Sequence, residues 1–277
     1  NISVWYSTPT ILVLLEQYGK LFKYAHSSMR IVLFAGEIFP LASLSAIKAH
    51  WRQAELYNLY GPTETNVVTW NKIADTLAHD YDVSIIGKAC KHAAIAVLTQ
   101  GELKSPSVGV EGELLVSGVA LSPGYLNNDR IDIVQSKYAD DVHWYRTGDQ
   151  VRVTHELLLT FVGRLDRMIK KRGNRIELDE IQKTIDQCDG VERAAVISNL
   201  NNKQTPLIIA FYEVQQYVLD KTETSINRLQ PLEKIQAHVR ERLPNYMWPD
   251  QWVLLDRLPL TRTDKIDYLA LASYDRV

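Results

Sequence analysis

Asn58-Leu59-Tyr60-Gly61-Pro62-Thr63-Glu64-Thr65 is the stretch on which the reading of this chain turns. Leu56 and Tyr57 before it read as the end of a strand, and Gly61-Pro62 forces a turn. That turn is expected to hold the Tyr60 ring, the Thr63 hydroxyl and the Glu64 carboxylate on one exposed bend. An aromatic face can stack on a nucleobase, a hydroxyl can bond a phosphate, and a carboxylate can hold a Mg2+ that phosphates share. Taken alone, the stretch reads more readily as a surface loop with a solvated glutamate, because loops are rich in such residues. Its company along the chain decides otherwise.

Toward the N-terminus, Ile2 to Tyr6 reads as a buried strand, and Pro9 opens an apolar helix through Leu15 to Leu21. Arg30 to Phe34 is a second strand, ended by Ala35-Gly36, and Pro40 starts a helix running to about Trp51. Glu55 to Asn58 is a third strand leading into the turn. Strands alternating with helices imply an α/β fold with a parallel sheet and ligands at the strand C-terminal ends, where Gly36 and Tyr60 sit. From Ile85 to about Val153 the texture changes. Short alternating strands (Ala94 to Leu98, Gly112 to Ser117, Gln150 to Val153) separated by Gly and Pro turns suggest a small β-barrel or folded sheet.

A boundary near Arg164-Leu165-Asp166 introduces a compact α+β unit. Its elements are a helix at Leu178 to Cys188, strands at Val191 to Ser198 and Pro206 to Glu213, and an amphipathic helix at Pro231 to Leu243. Gln216 to Asn227 is a polar surface loop. The expected layout is therefore a large domain over residues 1–164, with the α/β sheet over about 1–84 and the barrel-like part over about 85–164. A small mobile domain follows over 165–277.

At 277 residues the chain is long enough for more than one domain, and its 46% apolar and 23% charged fractions are ordinary for a soluble globular protein. A net charge of -2 gives no reason to expect nucleic acid or an anionic membrane as a partner. Neither of the two cysteines, Cys90 and Cys188, belongs to a C-x-x-C pair, so a reducing cytoplasm is the expected compartment. No close histidine pair suggests a zinc site, and no apolar run reaches the length needed to cross a bilayer. The start, Asn1-Ile2-Ser3-Val4-Trp5, lacks an initiator Met and a basic leader, as expected of an internal piece of a cytosolic enzyme.

Three further segments follow the 58–65 stretch in order: Tyr145-Arg146-Thr147-Gly148-Asp149; Gly163-Arg164-Leu165-Asp166, continuing through Met168 to Glu177; and Pro259-Leu260-Thr261-Arg262-Thr263-Asp264-Lys265-Ile266-Asp267. Leu243-Pro244-Asn245-Tyr246-Met247-Trp248-Pro249 precedes the last. Together the series resembles the adenylate-forming superfamily: acyl-CoA synthetases, luciferases and adenylation domains of nonribosomal peptide synthetases.

The resemblance implies two steps. A carboxylate attacks the α-phosphate of ATP to give an acyl-adenylate and pyrophosphate, and a thiol then takes the acyl group. The first step brings two anions together, so a positive group and Mg2+ carry much of it. By likeness to the family, Lys265 bridges the substrate carboxylate and the α-phosphate; Thr63 meets a phosphate oxygen and Glu64 holds the metal. Asp149 accepts from both ribose hydroxyls, with Arg164 on the same ribose. Tyr60 stacks on adenine, Gly36, Asn58 and Gly61 lie beside it, and Phe161 adds an apolar wall. Asp166 sits where the family bends between its two poses. In the second pose the Lys171-Arg172-Gly173-Asn174 loop covers the site, and Gly173 lets a phosphopantetheine arm pass close to backbone. The family usually has Gly where this chain has Asp264.

Tyr6, Leu33, Ala35, Leu59, Val67 and Val68 match the side-chain pocket of amino-acid adenylation domains. Such a pocket is small and apolar, unsuited to a charged side chain. VWYSTPT, LFAGE and NLYGPTETN are similar to stand-alone ligases that load L-proline onto a carrier protein. A Val- or Leu-sized side chain fits too, since one methylene is worth only about 1–3 kcal/mol. The family's phosphate loop and amine-binding aspartate are expected upstream of Asn1, so the 277 residues alone are expected not to complete adenylation efficiently. Two other readings stay open: an acyl- or aryl-CoA ligase using free CoA, and a non-catalytic fragment that docks a carrier protein.

Overall fold

The computed structural model describes residues 2–125, 133–135, 143–200, 206–215, 229–262 and 264–274. The expected loop at Gln216 to Asn227 lies outside them. The chain divides into two compact units, Asn1–Asp166 and Arg167–Val277.

In the first unit, β1 (Val4–Ser7), β2 (Ile31–Ala35) and β3 (Glu55–Tyr60) pair in parallel, joined by α1 (Pro9–Gln17) and α2 (Leu41–His50). Alternation decides which side is covered. Val32, Phe34 and Leu56 point to one face of the sheet, where they pack with Leu12 of α1 and with Leu44 and Ile47 of α2. The first helix stops at Gln17, short of the expected Leu21. Gly19 N–H turns back to the carbonyls of Leu14 and Leu15, and Lys20 follows with φ +54.

The sheet then becomes antiparallel. From β4 (Thr69–Lys72) and β5 (Ile85–Ala89), pairing continues without a break through β11 (Leu159–Arg164), β10 (His143–Val153), β8 (Glu111–Gly118), β6 (Ala93–Thr99) and β7 (Glu102–Lys104). A short β9 (Ile133–Gln135) pairs with β10. The expected strand at Gln150 to Val153 is the tail of the much longer β10, whose irregular middle hides its length from a period-2 reading. A second core forms here around Tyr60, Val68, Ile86, Leu114, Val116, Val151 and Leu159.

The second unit opens with a hairpin of β12 (Met168–Lys171) and β13 (Asn174–Glu177) and then α3 (Leu178–Asp186). A three-stranded sheet of β14 (Val191–Leu200), β15 (Pro206–Val214) and β16 (Gln251–Leu254) has β15 at its centre. α4 (Leu229–Arg242) precedes β16, and α5 (Tyr268–Ala272) closes the unit. Ala194, Val196, Ile208 and Ala210 face Ile181 and Ile185 of α3 and Ile235 and Val239 of α4. Ala195, Ile197, Ile209 and Phe211 face the other way, toward Leu258 and Leu271. This alternation on a doubly covered sheet leaves β15 buried along most of its length.

Candidate functional site

Tyr60 ends β3, and its ring is only 6% exposed. It belongs to the second core, with Phe161 partly buried against the same cluster. The expected exposed bend is thus corrected: an aromatic followed by Gly-Pro reads as a loop, but the ring lies on the strand face that alternation sends inward. Its hydroxyl donates to Asp149 Oδ2. Asp149 is 2% exposed and lies opposite Arg164 in the β10–β11 ladder, and Arg164 Nη1 donates to Asp149 Oδ1 at 2.5 Å. The same guanidinium reaches Asp166, with Nε 2.5 Å from Oδ1 and Nη2 on Oδ2. Residues far apart in sequence therefore meet as one chain of contacts: Tyr60, Asp149, Arg164, Asp166.

The electrostatics follow from that burial. Burial pushes the Tyr60 phenol well above its ordinary range, and the Asp149 charge adds to the effect. Tyr60 is therefore a permanent donor. Burial works against the Arg164 charge, but the carboxylates of Asp166 and Asp149 outweigh it and hold the guanidinium above its already high value.

The 61–66 turn is tight. A Cβ on Gly61 would lie 1.6 Å from the Asn66 carbonyl oxygen, and Val68 N–H closes the turn on Tyr60 O at 2.8 Å. Thr63 is exposed at its tip. Glu64 is buried at 3%; it accepts from the Tyr125 hydroxyl, and its backbone carbonyl accepts from Ser122 N–H at 2.7 Å. Gly36, with φ +95, follows β2, and a Cβ there would make ordinary contact with Thr8 Cγ2 at 3.9 Å. The Asn58 side chain is committed to structure, donating from Nδ2 to Ile85 O at 2.8 Å.

Four of the six expected pocket residues share one sheet face. Tyr6 is in register with Leu33, and Ala35 with Leu59, on the side away from α1 and α2. Val67 is half-buried nearby in sequence. Val68 is fully buried, in one core cluster with Leu114, Val116 and Val151.

Lys265 and Gly173 belong to the second unit. Lys265 is exposed in a loop closed by Thr261 N–H on Lys265 O at 2.7 Å and by Lys265 N–H on Thr261 Oγ1 at 3.3 Å. Asp264 before it adopts φ +56, the left-handed conformation that a glycine would take. Gly173 and Arg172 are the two residues of the β12–β13 turn, with φ +79 and +52.

Two residues escape a sequence reading. Tyr125 is seen only through its bond to Glu64. Glu113 is a buried carboxylate in a strand whose next three residues, Leu114, Leu115 and Val116, are all buried, so no alternation singles it out.

Comparison with known proteins fits this arrangement. A family model described as AMP-binding enzyme matches residues 1–126, and the AMP-binding enzyme C-terminal domain matches 180–265. The chain belongs to the AMP-binding enzymes. The resemblance drawn from the motif series is thereby borne out. An L-proline–[L-prolyl-carrier protein] ligase of Streptomyces coelicolor is 35% identical over 272 residues, covering 98% of this chain and 49% of that protein. A ligase of the same name from Pseudomonas fluorescens is 32% identical over 275 residues, covering 98% and 50%. Among solved structures, the Vibrio cholerae adenylation domain AlmE, in complex with glycyl-adenosine-5'-phosphate, superposes with a TM-score of 0.75 at 29% identity, covering 98% of this chain and 50% of that one. The chain thus spans about half the length of these relatives. Among the described residues no helix is long and apolar enough to cross a membrane.

Proposed function

We propose that this chain carries the nucleotide-anchoring and mobile parts of an ATP-dependent ligase that activates an amino acid, L-proline, as aminoacyl-AMP and passes it to the phosphopantetheine thiol of a carrier protein. The observation that carries the reading is Asp149, a buried carboxylate of β10 held between Tyr60 and Arg164 at the ends of β3 and β11. Each carboxylate oxygen has a second lone pair after accepting one bond. Asp149 can therefore take both ribose hydroxyls without giving up either partner. A donor that cannot ionise on one side and a fixed cation on the other hold its charge in one orientation.

Thr63 is the exposed hydroxyl for a phosphate oxygen, and Lys265 brings the positive charge that lets a carboxylate approach the α-phosphate. Oxygen of the carboxylate bonds to phosphorus as the bond to pyrophosphate breaks. Mg2+, when bound, neutralises phosphate charge. The ion keeps several waters and needs only one or two protein carboxylates, so Glu64 alone fits it. No group of three or more metal-ligating side chains occurs among the described residues. The small apolar face of Tyr6, Leu33, Ala35 and Leu59 has no ionised member and suits the proline ring. Two unpaired cysteines accord with a reducing cytoplasm as the compartment.

ATP–pyrophosphate exchange on the natural polypeptide that holds these residues tests the reading. L-Proline is run against valine, leucine, alanine and benzoate, followed by transfer to carrier protein or to free CoA. Exchange with proline and transfer to carrier is the expected result. Exchange with another acid would keep the mechanism and remove proline, and no exchange with any acid would overturn the reading.

A further inference from the structure

Asp149 is not set in place by regular strand pairing. Along β8 and β10, Tyr145 pairs with Val116 and Arg146 with Leu115, and the ladder resumes with Gln150 opposite Glu113. Three residues of β10, Thr147, Gly148 and Asp149, therefore stand against the single Leu114 of β8. Such a bulge leaves backbone groups outside the ladder and re-aims the side chain it carries. Gly148 has φ +70, and a Cβ there would press on Arg164 Nη2 at 2.7 Å and Asp166 Oδ2 at 3.0 Å.

Several of the groups in the bulge are satisfied locally. Thr147 Oγ1 donates to Leu114 O at 2.8 Å and accepts from Asp149 N–H at 3.0 Å. Gly148 O accepts from Leu165 N–H at 2.8 Å. Gly148 N–H donates to Glu113 Oε1 at 3.1 Å. The other oxygen of the same carboxylate, Oε2, receives Arg146 Nε at 2.9 Å and Nη2 at 2.5 Å. Glu113 is 5% exposed, whereas the Arg146 side chain is 42% exposed. A carboxylate is costly to bury without partners. Here its partners are the residue entering the bulge and the backbone at its apex.

We infer that Glu113 is the positioning residue for Asp149. It fixes the bulge that aims the Asp149 carboxylate at the ribose while touching no substrate itself. The inference rests on the reading of Asp149 as the nucleotide anchor. A glutamate serves because two jobs, accepting both guanidinium N–H groups on one oxygen and the backbone N–H on the other, need two charged oxygens in a plane. Glutamine retains one carbonyl oxygen and loses the charge, and alanine loses both bonds.

The test is a double-mutant cycle on the natural polypeptide, read as affinity for AMP by calorimetry and as KM for ATP against kcat. Asp149→Ala, Glu113→Ala and the double variant form the cycle, with circular dichroism confirming the fold. Glu113→Gln replaces Glu113→Ala if the latter does not fold. Glu111→Gln, whose partner Arg152 faces it two rungs along the same two strands, is the control expected to change neither quantity. The expected result is AMP binding weakened roughly ten- to hundredfold in Glu113→Ala, less in Glu113→Gln, with KM for ATP raised more than kcat is lowered. In the Asp149→Ala background Glu113→Ala should then cost little more, because both act through one carboxylate. Full additivity, or a Glu113→Ala protein that binds AMP normally, would overturn the positioning role and leave the reading of Asp149 intact. Unchanged AMP affinity in Asp149→Ala itself would overturn the reading of Asp149 and the positioning role with it.

Discussion

Asp264 stands where the family usually has glycine, and it adopts a conformation that glycine takes freely. The family's usual glycine suggests a backbone that needs φ > 0, and the aspartate here takes φ +56. Asp enters the left-handed region more easily than most residues because its short side chain bonds locally. The Lys265 loop thus keeps its closure through Thr261. Asp264→Gly should leave pyrophosphate exchange within about twofold of wild type, since glycine takes this conformation freely. Asp264→Val should cost about 1–2 kcal/mol in the loop and cut exchange, because a β-branched residue resists φ > 0. Exchange rates equal in both variants would show that the loop conformation does not matter to Lys265. Asp149, Arg164, Glu64 and Lys265 were legible as residues from their motifs. Their partners were not, because Tyr60 and Asp149 are 89 residues apart and meet only through sheet topology.

Among the elements, those with a clear period were read closely. The α3 residues Leu178, Ile181 and Ile185 fall on one buried stripe, and β14 and β15 end within a residue or two of their expected limits. Elements that break period were not, and β10 is the instance: its bulge inserts extra residues between Arg146 and Gln150, where Asp149 stands. The β12–β13 turn adds a caution. Positive φ at both Arg172 and Gly173 is a type I′ hairpin, which by itself accounts for the glycine without any thiol. The contact between α4 and α3 carries a pH dependence. His238 Nε2 is buried without a hydrogen-bond partner among the described residues. Burial, then the Arg242 charge, lowers the ring's pKa below its usual 6.5. A base with a folded pKa below its unfolded value binds fewer protons when folded, so stability is complete above that window and falls as pH drops through it. The urea midpoint should therefore decline from pH 7.5 to 5, and His238→Gln should flatten the decline. An equal decline in both proteins would assign the effect elsewhere.

At the scale of the whole molecule, the first unit covers one face of its sheet and leaves much of the other apolar and open. Helices α1 and α2 cover Val32, Phe34 and Leu56. Across the sheet, Val4 and Tyr6 on β1 are 48% and 59% exposed, and Ile31, Leu33, Tyr57 and Leu59 are half-buried on the same side. Among the described residues β1 is also the edge strand, so the backbone groups of its outer side adjoin that face. An exposed apolar surface beside an unpaired edge invites association. The same face carries the residues proposed for the amino-acid pocket. The 277-residue chain at rising concentration should therefore sediment as a mixture of monomer and larger species and bind a hydrophobic dye. Val4→Lys places a charge at the edge, outside the assigned pocket, and should shift the chain to monomer with an unchanged circular dichroism spectrum. A wild-type chain that stays monomeric and binds no dye would mean that the twist of the edge or the charge of Glu55 and Lys72 on the neighbouring strands already protects this face.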